Sequence, residues 1–124
     1  MFMSSVKLNK KLNLDVYSTT EVKTNKIWLG KPVYRTIFTG RKTGNNDLNL
    51  GTISKADTFV SITGTLIDAN NNKKPIPFYY SDSIFITVEV QSSGTISIHG
   101  ASSAFSSGTV TMIIEYTKTT DNTK

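Results

Sequence analysis

Apolar and polar positions alternate strictly through the second half of the chain. From Ser83 onward, Ile84, Ile86, Val88 and Val90 fall on one side, and Phe85, Thr87, Glu89 and Gln91 on the other. A period of two marks a strand with one buried face. Residues 92–94, "SSG", then supply a turn with glycine where a positive φ is needed. Ile96 and Ile98 resume the alternation, so residues 83–91 and 95–99 predict a β-hairpin. Residues 109–118 set Val110, Met112, Ile114 and Tyr116 against Thr111, Ile113, Glu115 and Thr117. Residues 57–68 predict another strand, with Val60, Ile62, Gly64 and Leu66 on one face. Gly64 there marks a bulge or a close backbone approach.

No long segment carries a helical apolar face with caps, and Thr, Ser, Ile and Val favour sheet. The pattern predicts an all-β protein, a small antiparallel β-sandwich or barrel-like domain. Residues 39–51, 68–77 and 99–108 are rich in Gly, Asn, Pro and Ser and read as connectors. Near the start, Val6, Leu8, Leu12, Leu14 and Val16 share one parity, interrupted by Lys10. That fits an extended strand, or an arm that orders against a partner chain. The expected division is an N-terminal arm or anchoring segment over residues 1–20 and a β-sandwich domain over 21–124.

The single tryptophan lies in "NKIWLGKPVYRTIFTG", residues 25–40. Gly30 permits a reversal, but Pro32 lacks an N–H, so a loop longer than two residues is expected. Trp28 and Tyr34 then flank the reversal and pack across it as structural anchors. Beyond it, Tyr34, Thr36 and Phe38 face one way, and Val33, Arg35 and Ile37 the other. Both faces are partly apolar, which predicts a subunit contact at Val33, Arg35 and Ile37.

Composition narrows the function classes. The chain has 124 residues, enough for one domain, with 37% hydrophobic residues and no cysteine. Disulfides, thiolate catalysis and cysteine zinc sites are excluded. No apolar run approaches the roughly 20 residues that span a bilayer, and residues 1–15 show no secretory signal. The formal charge of +5 is scattered. Its closest groups, Lys10-Lys11, Arg41-Lys42 and Lys73-Lys74, read as solvated surface, so nucleic acid is not an expected partner. His99 is alone, with no carboxylate pair near it in sequence, and no serine sits in a nucleophile elbow. Asp57, Asp68, Asp82 and Glu89 show no spacing of a glycosidase pair. No enzyme activity, cofactor or metal is expected.

Two polar stretches suit binding. Asn70, Asn71 and Asn72 both donate and accept hydrogen bonds, as sugar hydroxyls require, with Lys73 and Lys74 beside them. Tyr79 and Tyr80, which follow "KKPIP", offer flat apolar faces with polar tips. These seven residues are the candidate contact with a polysaccharide.

Residues 15–40, "DVYSTTEVKTNKIWLGKPVYRTIFTG", resemble a segment of bacteriophage virion proteins of tail-fibre, head-fibre or baseplate type. Tyr17, Ser18, Thr19, Glu21, Trp28, Gly30, Lys31, Pro32, Tyr34 and Ile37 carry the resemblance. The family's usual turn is Asp-Gly where this chain has Leu29-Gly30. The end, "VTMIIEYTKTTD" at 110–121, resembles the same group's closing strand. The resemblance implies a non-enzymatic virion protein, a fibre or adhesin domain that contacts the bacterial host, or else a head-fibre or capsid-decoration protein. It also implies a homo-trimer, anchored to other virion proteins by the N-terminal arm, with Tyr17, Trp28, Gly30, Lys31, Pro32 and Tyr34 as the structural motif.

Overall fold

Antiparallel strands make up two sheets packed face to face, in a computed structural model that describes residues 16–101 and 107–121. The expected arm residues Val6, Leu8, Lys10, Leu12 and Leu14, with Lys11, lie outside the described residues, as do 102–106 of the Ser-rich connector. The strands are β1 (Val22–Trp28), β2 (Lys31–Lys42), β3 (Leu48–Thr52), β4 (Ala56–Ile67), β5 (Lys73–Ile76), β6 (Phe78–Ser81), β7 (Ile84–Val90), β8 (Thr95–Ala101) and β9 (Gly108–Lys118). One sheet has the order β1-β2-β9-β4-β5, the other β3-β8-β7-β6. The protein is all-β, a sandwich and not a closed barrel.

The alternation explains the core. Val110, Met112, Ile114 and Tyr116 of β9, Ile86 of β7, Ile96 and Ile98 of β8, Leu66 of β4 and Ile76 of β5 form one buried cluster. Gly94 closes the β7–β8 turn with φ of 87°, as the sequence predicts. In β4, however, register shifts at Phe59 slip the strand against β9, pairing Phe59 with Tyr116 and Ser61 with Glu115. The slip leaves Val60 as the extra residue, so Phe59 packs on the core in place of the expected Val60. Gly64 is a close approach and not the bulge. A Cβ there would collide with the Met112 sulfur and the Thr111 carbonyl.

Three predicted connectors contain strand. Residues 39–51 carry the end of β2 and all of β3, because Leu48 and Leu50 alternate and pack on the core. They fit there because Gly40 has no side chain: a Cβ would come within 2.8 Å of Leu50. Residues 73–76 form β5, and a cis Ile76–Pro77 bond lies at the crossing from one sheet to the other. The aromatic run at 78–80 belongs to the edge strand β6. Lys42, expected at the surface, is fully buried. Its ammonium donates to the carbonyls of Gly44 at 2.5 Å and Asn46 at 2.8 Å, holding the β2–β3 turn.

The outer face of the five-stranded sheet buries charge. Arg35 of β2 pairs with Glu115 of β9 in register, and both are buried. Arg35 donates to Glu115 Oε2 from Nη2 at 2.6 Å and from Nε at 2.9 Å. Lys26, brought in by the irregularity of β1 between Lys23 and Ile27, reaches the same carboxylate at 3.0 and 3.1 Å. Burial raises the Glu115 pKa, but its bonds to Lys26 and Arg35 outweigh that and hold the carboxyl below its ordinary range. Removing one partner of such a pair is strongly destabilising, whereas replacing both by apolar groups often is not. Glu115→Ala is expected to lose about 3 kcal/mol or more in urea unfolding, and Arg35→Met with Glu115→Met together much less. Because the shift is downward, this stability is present above pH ~4.5 and drains away as pH falls further. An acid titration of the melting temperature should therefore flatten in Glu115→Ala.

Candidate functional site

The β1–β2 turn holds only Leu29 and Gly30, with Trp28 opposite Lys31 and Ile27 opposite Pro32. Their φ angles are 49° and 84°, both left-handed, as a two-residue hairpin turn of type I′ requires. The longer loop expected from Pro32 is therefore not formed. The turn closes on Trp28 and Lys31, and the ladder alternates, so the Ile27–Pro32 pair exchanges no hydrogen bond and needs no proline N–H. Lys31 fastens the returning strand through Asp57 at 2.8 Å and the Lys118 carbonyl at 3.2 Å.

Trp28 and Tyr34 do not pack across the reversal, because the register sets Tyr34 opposite Lys23. Tyr34 instead stacks on Tyr116, with ring centroids 6.2 Å apart, under the Lys118 ammonium at 4.3 Å. Burial, then Asp121, pushes its hydroxyl pKa up to about 12. Trp28 is 41% exposed, Ile27 61% and Leu29 82%. Tyr17, 56% exposed, lies over the Arg35 guanidinium at 4.1 Å. Of the motif residues, Lys31, Pro32 and Tyr34 thus serve the domain, and Trp28 faces solvent.

The predicted subunit contact divides in the same way. Val33 and Arg35 are buried within the single chain, so neither presents a free surface. Arg35 also donates to the Val16 carbonyl at 3.3 Å, and Ile37 N–H donates to the Ser18 carbonyl at 3.0 Å. Residues 16–18 therefore lie along β2. Only Ile37 is half-buried. The exposed apolar group missed by the face argument is Ile27 with Leu29. Two bulky apolar residues flanking Trp28, immediately before a turn glycine, were the available signal.

The seven polar candidates come to one corner of the opposite end. The β4–β5 loop begins where Ile67 pairs with Lys73, and β6 runs back to that end beside β7. Asp68 organises the loop. Its carboxylate accepts the N–H groups of Asn70 at 3.0 Å and Asn72 at 2.9 Å, and the ammonium of Lys74 at 3.1 Å. The bond from Asn72 is the main reason its pKa is lowered. Asn71 takes φ of 65°, a position asparagine tolerates. Much of this loop's polarity therefore serves its own backbone. Lys73 is exposed, and so are Tyr79 and Tyr80, although Tyr79 donates to Asp82. Tyr80 is left 73% exposed.

His99 differs from the expectation of a histidine without acids. On β8 it stands between Asp47 at 3.0 Å and Glu89 at 3.3 Å, brought there by the β2–β3 turn and by β7. The bond to Asp47 is the main cause that raises its pKa. Among the described residues no group of three His, Cys, Asp or Glu could hold a metal ion. The chain matches no family model, no curated protein and no solved structure.

Trp28→Ala should lower unfolding stability by only about 1 kcal/mol, far less than a buried tryptophan would. Leu29→Asn should raise it by about 1 kcal/mol by relieving the left-handed leucine. Urea titrations check both. NMR titration of His99 should give a pKa above 6.5, and the stability it adds is fully present below pH 6.5 and lost as pH rises through the raised folded-state pKa.

Proposed function

We propose that this chain is a non-enzymatic structural protein of a bacteriophage particle, a fibre or adhesin domain that assembles as a homo-trimer and contacts the host surface. One observation carries the reading. Leu29 is a β-hairpin leucine held at φ of 49° and 82% exposed. The turn requires that backbone, but leucine is a strained choice for it, and its side chain is given to solvent and serves no core. Such outliers are kept where function requires them. With Ile27 and Trp28 it forms an apolar tip on the edge strand β1, suited to a neighbouring copy. The segment's resemblance to phage virion proteins supplies the class of assembly, and the N-terminal residues its attachment to other virion proteins.

The corner of Asn70, Asn71, Asn72, Lys73, Lys74, Tyr79 and Tyr80 lies at the far end from this tip. The tight bonding of the loop to Asp68 favours the second reading, a head-fibre or decoration protein whose main task is attachment.

Light scattering at micromolar concentration should report a trimer, and Trp28→Ser with Leu29→Ser should report monomer with the fold intact. A wild-type monomer would contradict assembly through the tip. Replacing residues 70–74 by Gly-Ser should reduce adsorption of assembled particles to host cells. Unchanged adsorption would favour the decoration reading.

A further inference from the structure

At the tip end, the β3–β4 connection at residues 53–55 is a ridge between two cavities. One, of about 300 Å³, has walls that include Glu21, Thr36, Phe38, Tyr116 and Lys118. The other, of about 290 Å³, is walled by residues that include Asp57, Phe59, Gln91, Ser92 and Ser93. Ile53 and Ser54 line both. The ridge is fixed on both sides. Ile53 N–H donates to the Gly94 carbonyl at 3.0 Å, and Thr119 N–H donates to the Lys55 carbonyl at 2.8 Å. A ligand would thus meet a preformed, two-lobed cleft.

The chemistry of the walls selects the ligand. In the first lobe the Thr36 and Tyr116 hydroxyls share a hydrogen bond of 2.9 Å. Glu21 also lies within hydrogen-bonding reach of the Tyr116 hydroxyl, so what the pair offers a third group is chiefly its lone pairs. The Tyr116 hydroxyl is pushed up to about 12, by burial first, so it remains a donor at neutral pH. Phe38 and Ile53 supply the apolar surface against which the C–H face of a sugar packs. Each carboxylate in the cleft has a lysine: Glu21 with Lys118 at 2.5 Å, and Asp57 with Lys31 at 2.8 Å. The pairs cancel, and the one further lysine on the lining, Lys55, is exposed and screened by solvent, so a phosphate or a cation gains little there, while the paired groups still accept and donate. Gln91, Ser92 and Ser93 repeat the hydroxyl-and-amide lining beside Phe59 in the second lobe.

We infer that this cleft binds a neutral oligosaccharide, with two adjacent sugar units seated on either side of Ser54. The inference rests on the adhesin reading and deepens it by placing a sugar site at the tip end, apart from the Asn70–Lys74 corner. Ser54 is exposed, so Ser54→Trp sets a bulky indole on the ridge, where it obstructs the cleft. Thr36→Val removes one floor hydroxyl.

The test is amide NMR of the full chain with neutral disaccharides (maltose, lactose, cellobiose and N,N′-diacetylchitobiose), with galacturonic acid dimers as the acidic arm. At least one neutral sugar should shift residues 36, 53–55 and 92–94 together. Ser54→Trp should weaken that binding about tenfold or more, with the rest of the spectrum unchanged. Thr36→Val should weaken it as well. No cleft shifts with any neutral sugar, cleft shifts with the acidic dimer alone, shifts confined to 70–74, or full binding by Ser54→Trp would each overturn the inference. Imaging phage particles with an antibody to the chain separates the two readings. Cleft binding without a place on the particle would sink the adhesin reading alone. A place on the particle without cleft binding would sink the cleft alone.

Discussion

A strand buried on both faces must satisfy every polar group it carries. From Ile114 to Thr117 β9 is such a stretch, lying between β2 and β4 in the middle of its sheet. Its inner face meets the constraint with Val110, Met112, Ile114 and Tyr116, and its outer face has Glu115. The carboxylate is tolerable there because Arg35 lies opposite it in register and Lys26 closes over it from β1. A slip of one residue between β2 and β9 would turn every side chain to the other face. It would also leave a buried charge without its partner. The pair therefore specifies register as much as it adds stability. Through β2, that register sets where the β1–β2 hairpin ends and which of its residues reach solvent.

What remains outside is unevenly distributed. The tip end carries Ile27, Trp28, Leu29 and the two-lobed cleft, and the opposite end carries the Asp68-centred loop with the tyrosines of β6. These ends differ in physical character. The first has strained and exposed apolar groups beside preformed cavities, and the second has a loop whose hydrogen bonds are largely turned inward. Contact with a second copy and contact with a sugar both follow more directly from the first. The proposed fibre or adhesin role draws its class from the resemblance of residues 15–40, and its local chemistry from this asymmetry.

The parts legible in the sequence are those where one period holds without interruption. The β7–β8 hairpin and β9 alternate cleanly, and their buried apolar residues are among those that the alternation names. The misreadings have separate causes. Val60 was displaced by a bulge at Phe59, which shifts parity without any residue type announcing it. β3 and β5 lie in stretches whose Gly, Asn and Pro content signals turns, yet Leu48, Leu50 and Ile76 were enough to add strands to existing sheets. Lys42 and His99 owe their environments to the folding back of residues 44–47, which no local pattern encodes. Trp28 looked like an anchor because tryptophan is usually buried; its exposure depends on a register only the pairing reveals. Of the site, six of the seven polar residues were legible as exposed, Lys74 being half-buried against Asp68, whereas the cleft joins Glu21, Thr36, Ser54, Ser92 and Tyr116 from distant parts of the chain.

The central claim is that the exposed hairpin tip exists for a neighbouring copy. Photo-cross-linking tests it most directly, with a photoreactive amino acid in place of Leu29 and mass spectrometry of the purified full-length protein. The account predicts intermolecular cross-links from position 29 to residues 27–31 or to the outer strand β1 of another copy. Cross-links found only within one chain, at a concentration where copies have the chance to meet, would contradict it.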